Sequence, residues 1–198
     1  MNSAIEKHLR KDPKLNIVFD EVRPYEVGTE DRSIFEATVR AIVGQQISTK
    51  AAAKIYSRLI DYVGREKPEP HKLIDASDEE LRAVGLSRQK ASYVRSIAEF
   101  FTKNHNLDWH SLSDEEAQKH LVSIRGVGEW TAQMVLMFTL EREDVFAPGD
   151  LGIQLAMKQL YGVEGKGKAL ERALTEIAEP WRPYRSYVCR ALWPWRDK

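Results

Sequence analysis

Cysteine is almost missing from this chain: Cys189 is the single one among 198 residues. No intrachain disulfide can form, a four-cysteine iron–sulfur cluster is excluded, and a reducing cytoplasmic setting fits. Long apolar runs are missing too. No stretch approaches the roughly 20 residues of a membrane span, and the N-terminal MNSAIEKHLRKD has no apolar signal core. Net charge is missing as well, with 30 Lys and Arg against 30 Asp and Glu. The chain as a whole is therefore not a strongly basic nucleic-acid binder, although a neutral sum can hide a local basic face. Arg125, Lys166, Lys168, Arg182 and Arg185 are the candidates for such a face. Alternating strand patterns are scarce. Val22 to Val27 is the one weak candidate, and Pro24 demotes it.

What is present is helical periodicity. Hydrophobic residues make up 42% of the chain and charged residues 30%, ordinary values for a globular protein with a real core. Ser33 to Glu36, Ser77 to Glu80 and Ser113 to Glu116 read as capping boxes, each opening an apolar helical pattern. Ser48 and Ser87 read as simple caps of two further helices. Lys67 to Pro70 is a loop, and Gly162 to Gly167 a glycine-lysine loop. The last helical pattern starts near Lys168, breaks at Pro180 and Pro183, and continues to about Trp193. The expected fold class is all-α.

One segment carries chemistry: Leu121 to Asp150, LVSIRGVGEWTAQMVLMFTLEREDVFAPGD. Gly126-Val127-Gly128 sits between two helical patterns. Glycine permits positive φ and close backbone approach, and a helix start points bare N–H groups outward, which suits one phosphate. Arg125, Gly126, Val127, Gly128 and Thr131 are the candidate phosphate-binding residues. Such a contact positions DNA and reads no base. A GxG alone is also compatible with a plain connection between two helices. Asp150 follows in a Pro-Gly turn. Taken locally it is an N-cap for a helix beginning at Leu151; near a phosphate site it is also a candidate acid for chemistry on a nucleic acid.

The string GVGEWTA between two amphipathic helices, followed by Asp144-Val145-Phe146-Ala147-Pro148-Gly149-Asp150, resembles the helix-hairpin-helix DNA glycosylase superfamily. The resemblance runs from roughly Asp31 to Trp193. It implies two helical lobes flanking a DNA-binding cleft, one of residues 32–141 with the hairpin at about 121–132, the other of residues 1–31 plus 142–198. It implies Asp150 as the catalytic carboxylate, stabilising positive charge that develops on the sugar and orienting or deprotonating a water. Members that form a Schiff base carry lysine where this chain has Trp130. An indole cannot form that adduct, so a monofunctional hydrolase that leaves an abasic site is expected. Tryptophan there resembles the 3-methyladenine DNA glycosylase II branch, which implies double-stranded DNA with alkylated purines as substrate.

By the same resemblance, Trp130, Trp193, Tyr184 and Trp181 are candidates for an aromatic pocket that attracts a cationic base. Ala41 to Ser48 resembles the wedge region, with Gln46 and Ile47 entering the gap left by the flipped nucleotide. The carbonyls of Val122, Ile124 and Val127 are implied donors to a monovalent cation; no other cofactor is expected. Two departures stand out. Arg125 replaces a frequent proline of the hairpin. Only about thirty residues precede the first family helix, so the short form lacking an N-terminal β domain is expected. A cytoplasmic monomer is expected. Two other readings stay open: a non-catalytic module that binds damaged DNA, and a glycosylase for another lesion class.

Overall fold

The structure is a computed structural model and describes residues 3–22, 33–63 and 70–198. Most of the strand candidate after Val22, and the loop residues 67–69, lie outside the described residues. Among the described residues there are twelve α-helices, one 3-10 turn and no strand. The helices are α1 (Ser3–Leu9), α2 (Pro13–Glu21), α3 (Ile34–Gly44), α4 (Thr49–Tyr62), α5 (Pro70–Ile74) and α6 (Asp78–Ala83). They continue with α7 (Arg88–Lys103), α8 (Asp114–Val122), α9 (Glu129–Phe138), α10 (Leu151–Tyr161), α11 (Gly167–Ala178) and α12 (Arg185–Arg196). The 3-10 turn is Glu179–Trp181. The chain divides into two compact units. Unit 1 is Met1–Thr29 with Glu141–Lys198, and unit 2 is Glu30–Leu140.

Unit 2 is built from serine-capped helices. Ser33, Ser48, Ser77, Ser87 and Ser113 each accept a backbone N–H three residues on. Each such cap satisfies a donor that the first helical turn cannot, worth about 1 kcal/mol. Ser77 and Ser113 close full boxes with Glu80 and Glu116. The box expected at Ser33 closes by half only. Its hydroxyl accepts the Glu36 N–H at 3.2 Å, but the Glu36 side chain is buried and accepts the Tyr56 hydroxyl at 2.7 Å. The correction has a simple cause: Tyr56 lies on the neighbouring helix α4, and a tertiary donor takes the carboxylate that a local pattern assigns to the cap.

Unit 1 brings sequence-distant pieces together. Helices α1 and α2 bury Ile5, Leu9, Leu15, Val18 and Phe19, and α2 packs on α12. Asp12 caps α2 by accepting the Lys14 N–H at 3.0 Å. Its other oxygen accepts the Tyr161 hydroxyl at 2.7 Å and the Trp181 indole N–H at 3.0 Å. Burial, and then the Asp12 carboxylate, push the Tyr161 hydroxyl well above its ordinary range, so it stays a donor. A second knot surrounds Asp144. Arg185 reaches it from Nε at 2.7 Å, and Arg182 from Nη1 at 2.6 Å. Lys168 pairs with Glu171 at 2.8 Å. Of the candidates for a basic face, Arg185 is buried and committed to Asp144, while Arg182 and Lys168 pair with acids but stay exposed.

Candidate active site and DNA-contacting elements

Asp150 ends a buried approach, Val145-Phe146-Ala147, that is bolted to α12. The Val145 N–H donates to Ser186 Oγ at 2.9 Å, and the Cys189 thiol lies against the Val145 carbonyl. Burial pushes that thiol up to about 12, which makes it an inert filler. Pro148 and Gly149 then turn the chain, with the Asp150 N–H donating to the Ala147 carbonyl at 3.0 Å. Asp150 is the N-cap of α10, with extended backbone at φ −73° and ψ 127°. Its Oδ1 accepts the Ile153 N–H at 2.9 Å. The same oxygen accepts the Trp193 indole N–H at 2.8 Å. Two donors from different elements converge on one oxygen and set the direction of the half-buried carboxylate.

Gly152 makes this convergence fit. A Cβ there would sit 2.8 Å from Trp193 Cδ1, 3.0 Å from Trp193 Nε1 and 3.0 Å from Asp150 Oδ1. Only a residue without a side chain lets the indole lie across the first turn of α10. Sequence reasoning missed this residue. The available signal was a glycine inside a first helical turn, where it costs up to about 1 kcal/mol against alanine and so asks for a packing reason. Beside the carboxylate, Leu151 is 67% exposed and Leu155 45%, an i, i+4 pair that gives α10 an apolar outer stripe.

The other pocket candidates divide. Trp130 is the second residue of α9 and stands 43% exposed, offering an indole face and no amine. Trp181 is corrected: at 1% exposure, with its N–H given to Asp12, it has no face left for a ligand. Its burial depends on a partner 169 residues away, which no local pattern reveals. Tyr184 is the N-cap residue of α12 and is half-buried. Its ring packs edge-on against His8 and Tyr187, with centroids 5.5 and 6.2 Å away.

In unit 2 the hairpin joins α8 to α9. Gly126 has φ +94°, and a Cβ on it would meet the Tyr93 ring at 2.2 Å. The tight turn thus rests on an aromatic ring from α7, a contact the sequence does not announce. Gly128 is the N-cap of α9 and provides no side-chain cap, and the space beside it is open. The first-turn N–H groups of α9 start from a bare backbone, with the positive end of a ten-residue helix dipole behind them. Arg125 is exposed next to them, whereas Val127 is buried. Thr131 is 2% exposed and its hydroxyl accepts from Gln45 Nε2 at 3.3 Å, so any phosphate contact it makes is through its backbone N–H in the first turn of α9 and not its hydroxyl. Of the three cation carbonyls, that of Ile124 accepts the Val127 N–H at 3.0 Å. A carbonyl has two lone pairs, so this bond leaves one for a cation.

The wedge candidates lie between α3 and α4. Gln46 is exposed with φ +57°, and Ile47 is 38% exposed. Lys90 Nζ donates to the carbonyls of Val43 and Gln45 at 2.7 Å each. Burial draws that ammonium below the usual lysine range.

These elements can be set against known proteins. Residues 39–183 match a family model described as HhH-GPD superfamily base excision DNA repair protein. The chain belongs to that superfamily. A putative DNA-3-methyladenine glycosylase of Bacillus subtilis is 31% identical over 173 residues, 82% of this chain and 59% of the relative. A crystal structure of a DNA-3-methyladenine glycosidase from Bacillus halodurans is 32% identical, with a TM-score of 0.85 over 98% of this chain and 89% of that one. A Schizosaccharomyces pombe 3-methyladenine DNA glycosylase, solved in complex with abasic DNA, is 27% identical, with a TM-score of 0.84 over 96% and 95%. The superfamily member described here spans about six-tenths of the length of the B. subtilis relative. Among its described residues no helix is long and apolar enough to cross a membrane.

Proposed function

We propose that this superfamily member is a monofunctional DNA glycosylase that removes alkylated purines from duplex DNA and leaves an abasic site. The observation that carries the reading is Asp150, aimed by the Ile153 N–H and the Trp193 indole at the start of α10. The names of the B. subtilis and B. halodurans proteins, and the abasic DNA bound by the S. pombe enzyme, support it.

The chemistry follows from the groups present. An N3- or N7-alkylated purine is cationic, so the electrons of the C1′–N bond can leave onto the base without prior protonation. Positive charge then grows on the sugar, and the Asp150 carboxylate stabilises it. Water forms the new C1′–O bond and gives up a proton, which Asp150 is placed to accept. Trp130 offers an exposed indole face to the cationic base, an attraction of roughly 0.5–2 kcal/mol. Gln46 and Ile47 enter the gap left by the flipped nucleotide. The N–H groups at the start of α9, which the N-cap Gly128 leaves without a side-chain cap, hold one phosphate with Arg125 beside them. The carbonyls of Val122, Ile124 and Val127 would hold a monovalent cation, which would add positive charge to the phosphate-binding hairpin. Replacing potassium by tetramethylammonium at equal ionic strength should then weaken duplex binding. The protein acts as a monomer in the compartment that holds the chromosome.

The test is free-base release from methylated DNA by wild type and by Asp150→Asn. Methyladenine or methylguanine released by wild type alone supports the reading. Equal release by both proteins removes Asp150 from the mechanism. No release by either, with duplex binding intact, moves the protein to a binding module or another lesion class.

A further inference from the structure

The loop that carries Gln46 is gripped from two sides, both within unit 2. Lys90, in the first turn of α7, spans the end of α3 by donating to Val43 and Gln45. An ammonium has three donors and suits the negative end of a helix dipole, so one side chain can close two terminal carbonyls at once. From the other side Gln45 donates to Thr131, which is buried in the first turn of α9. Between the two grips stands Gln46 at φ +57°. A residue other than glycine keeps that conformation only where its surroundings enforce it.

We propose that Lys90 and the Gln45–Thr131 pair are positioning residues that hold Gln46 outward as a stiff wedge and lock it in register with the phosphate-binding start of α9. The inference rests on the wedge reading above. Its physical content is stiffness. A side chain that enters a base stack must push against stacking energy, and a soft loop bends before the stack opens. Thr131 is one residue beyond Trp130 in the turn whose N–H groups meet the phosphate. The grip on the loop and the anchor on the backbone therefore belong to one rigid block.

The experiment measures binding of the full chain to an intact duplex and to the same duplex carrying a tetrahydrofuran abasic analogue. The readout is the ratio of the two Kd values for wild type, Gln46→Ala, Lys90→Met and Thr131→Val, each checked for folding by circular dichroism. Gln46→Ala should lower the preference for the gapped duplex. Lys90→Met should lower it about tenfold, the scale of a charge-assisted hydrogen bond, and Thr131→Val about threefold, the scale of a neutral one. General damage to the fold weakens both duplexes alike and leaves the ratio unchanged. A lost preference in Gln46→Ala with full preference in both Lys90→Met and Thr131→Val overturns the grip alone. Full preference in Gln46→Ala, or none in wild type, overturns the wedge reading and the grip with it. Thr131→Val keeps the test open if Lys90→Met fails to fold, because it releases the loop from the opposite side.

Discussion

Gly152→Ala isolates the geometry around Asp150 more cleanly than removal of the acid. The added Cβ would lie 2.8 Å from Trp193 Cδ1, where carbon–carbon contact needs about 3.5 Å or more. The indole must retreat by roughly 0.7 Å. Its bond to Asp150 Oδ1, now 2.8 Å, then stretches to about 3.5 Å, the limit at which it ceases to orient anything. Stability should fall by up to about 2 kcal/mol, because alanine gains up to about 1 kcal/mol of helix propensity while the displaced ring costs about 1–3. The chemical step is another matter. Misplacement of a reacting group by a fraction of an ångström to 1 Å costs on the order of 10- to 100-fold. The assay is single-turnover release of 7-methylguanine from a methylated duplex, with binding to an abasic-analogue duplex as control. Trp193→Phe keeps a smaller aromatic ring and removes the N–H that Asp150 accepts, so it should slow release about tenfold without loss of binding. Wild-type release rates in both variants would refute the claim that the indole aims the carboxylate.

Other perturbations reach the fold and the DNA contact. Asp12→Ala removes a cap and the acceptor of Tyr161 and Trp181, and should lower stability by about 3 kcal/mol, or roughly 6–12 °C in Tm by calorimetry; an unchanged Tm would show that unit 1 does not lean on this residue. Arg125→Ala should cut the salt slope of duplex binding by about 1 and leave any lesion preference alone, as expected for a phosphate contact. Bonds from the Ser113 backbone and hydroxyl hold the Glu116 carboxyl below its usual 4.5. The contribution of this box is complete above that usual value and is lost as pH falls through the lowered one. A carbon-13 titration of Glu116 should show a midpoint under 4.5 that Ser113→Ala moves upward.

Much of this molecule could be read from short stretches. The serine caps, the glycine hairpin and the Asp150 turn are local devices, each complete within about four residues, and sequence shows such devices directly. What could not be read is decided across long separations. Glu36 looks like half of a capping box until Tyr56 claims it. Trp181 and Trp193 are both pocket candidates by resemblance, yet one gives its N–H to Asp12 in the core and the other to Asp150. Lys90 appears as one more surface lysine, because its acceptors are backbone carbonyls some 45 residues upstream that carry no sequence signature. Helices α1 and α2 are too short for periodicity to declare them, and they gain their order by packing in unit 1.

The reach of Asp12 has a consequence for the order in which the protein can be made. Unit 2 is one continuous stretch, so all its partners leave the ribosome together. Helices α1 and α2 emerge before unit 2, but Trp181, one partner of Asp12, follows 169 residues later. At roughly 5–20 residues per second, that wait is on the order of ten to thirty seconds. Until residue 141 and those after it emerge, the early helices lack the later part of their own unit, and Asp150 has no indole to aim it until Trp193 follows. The aimed carboxylate is thereby acquired only after the part that carries the hairpin has been free to fold.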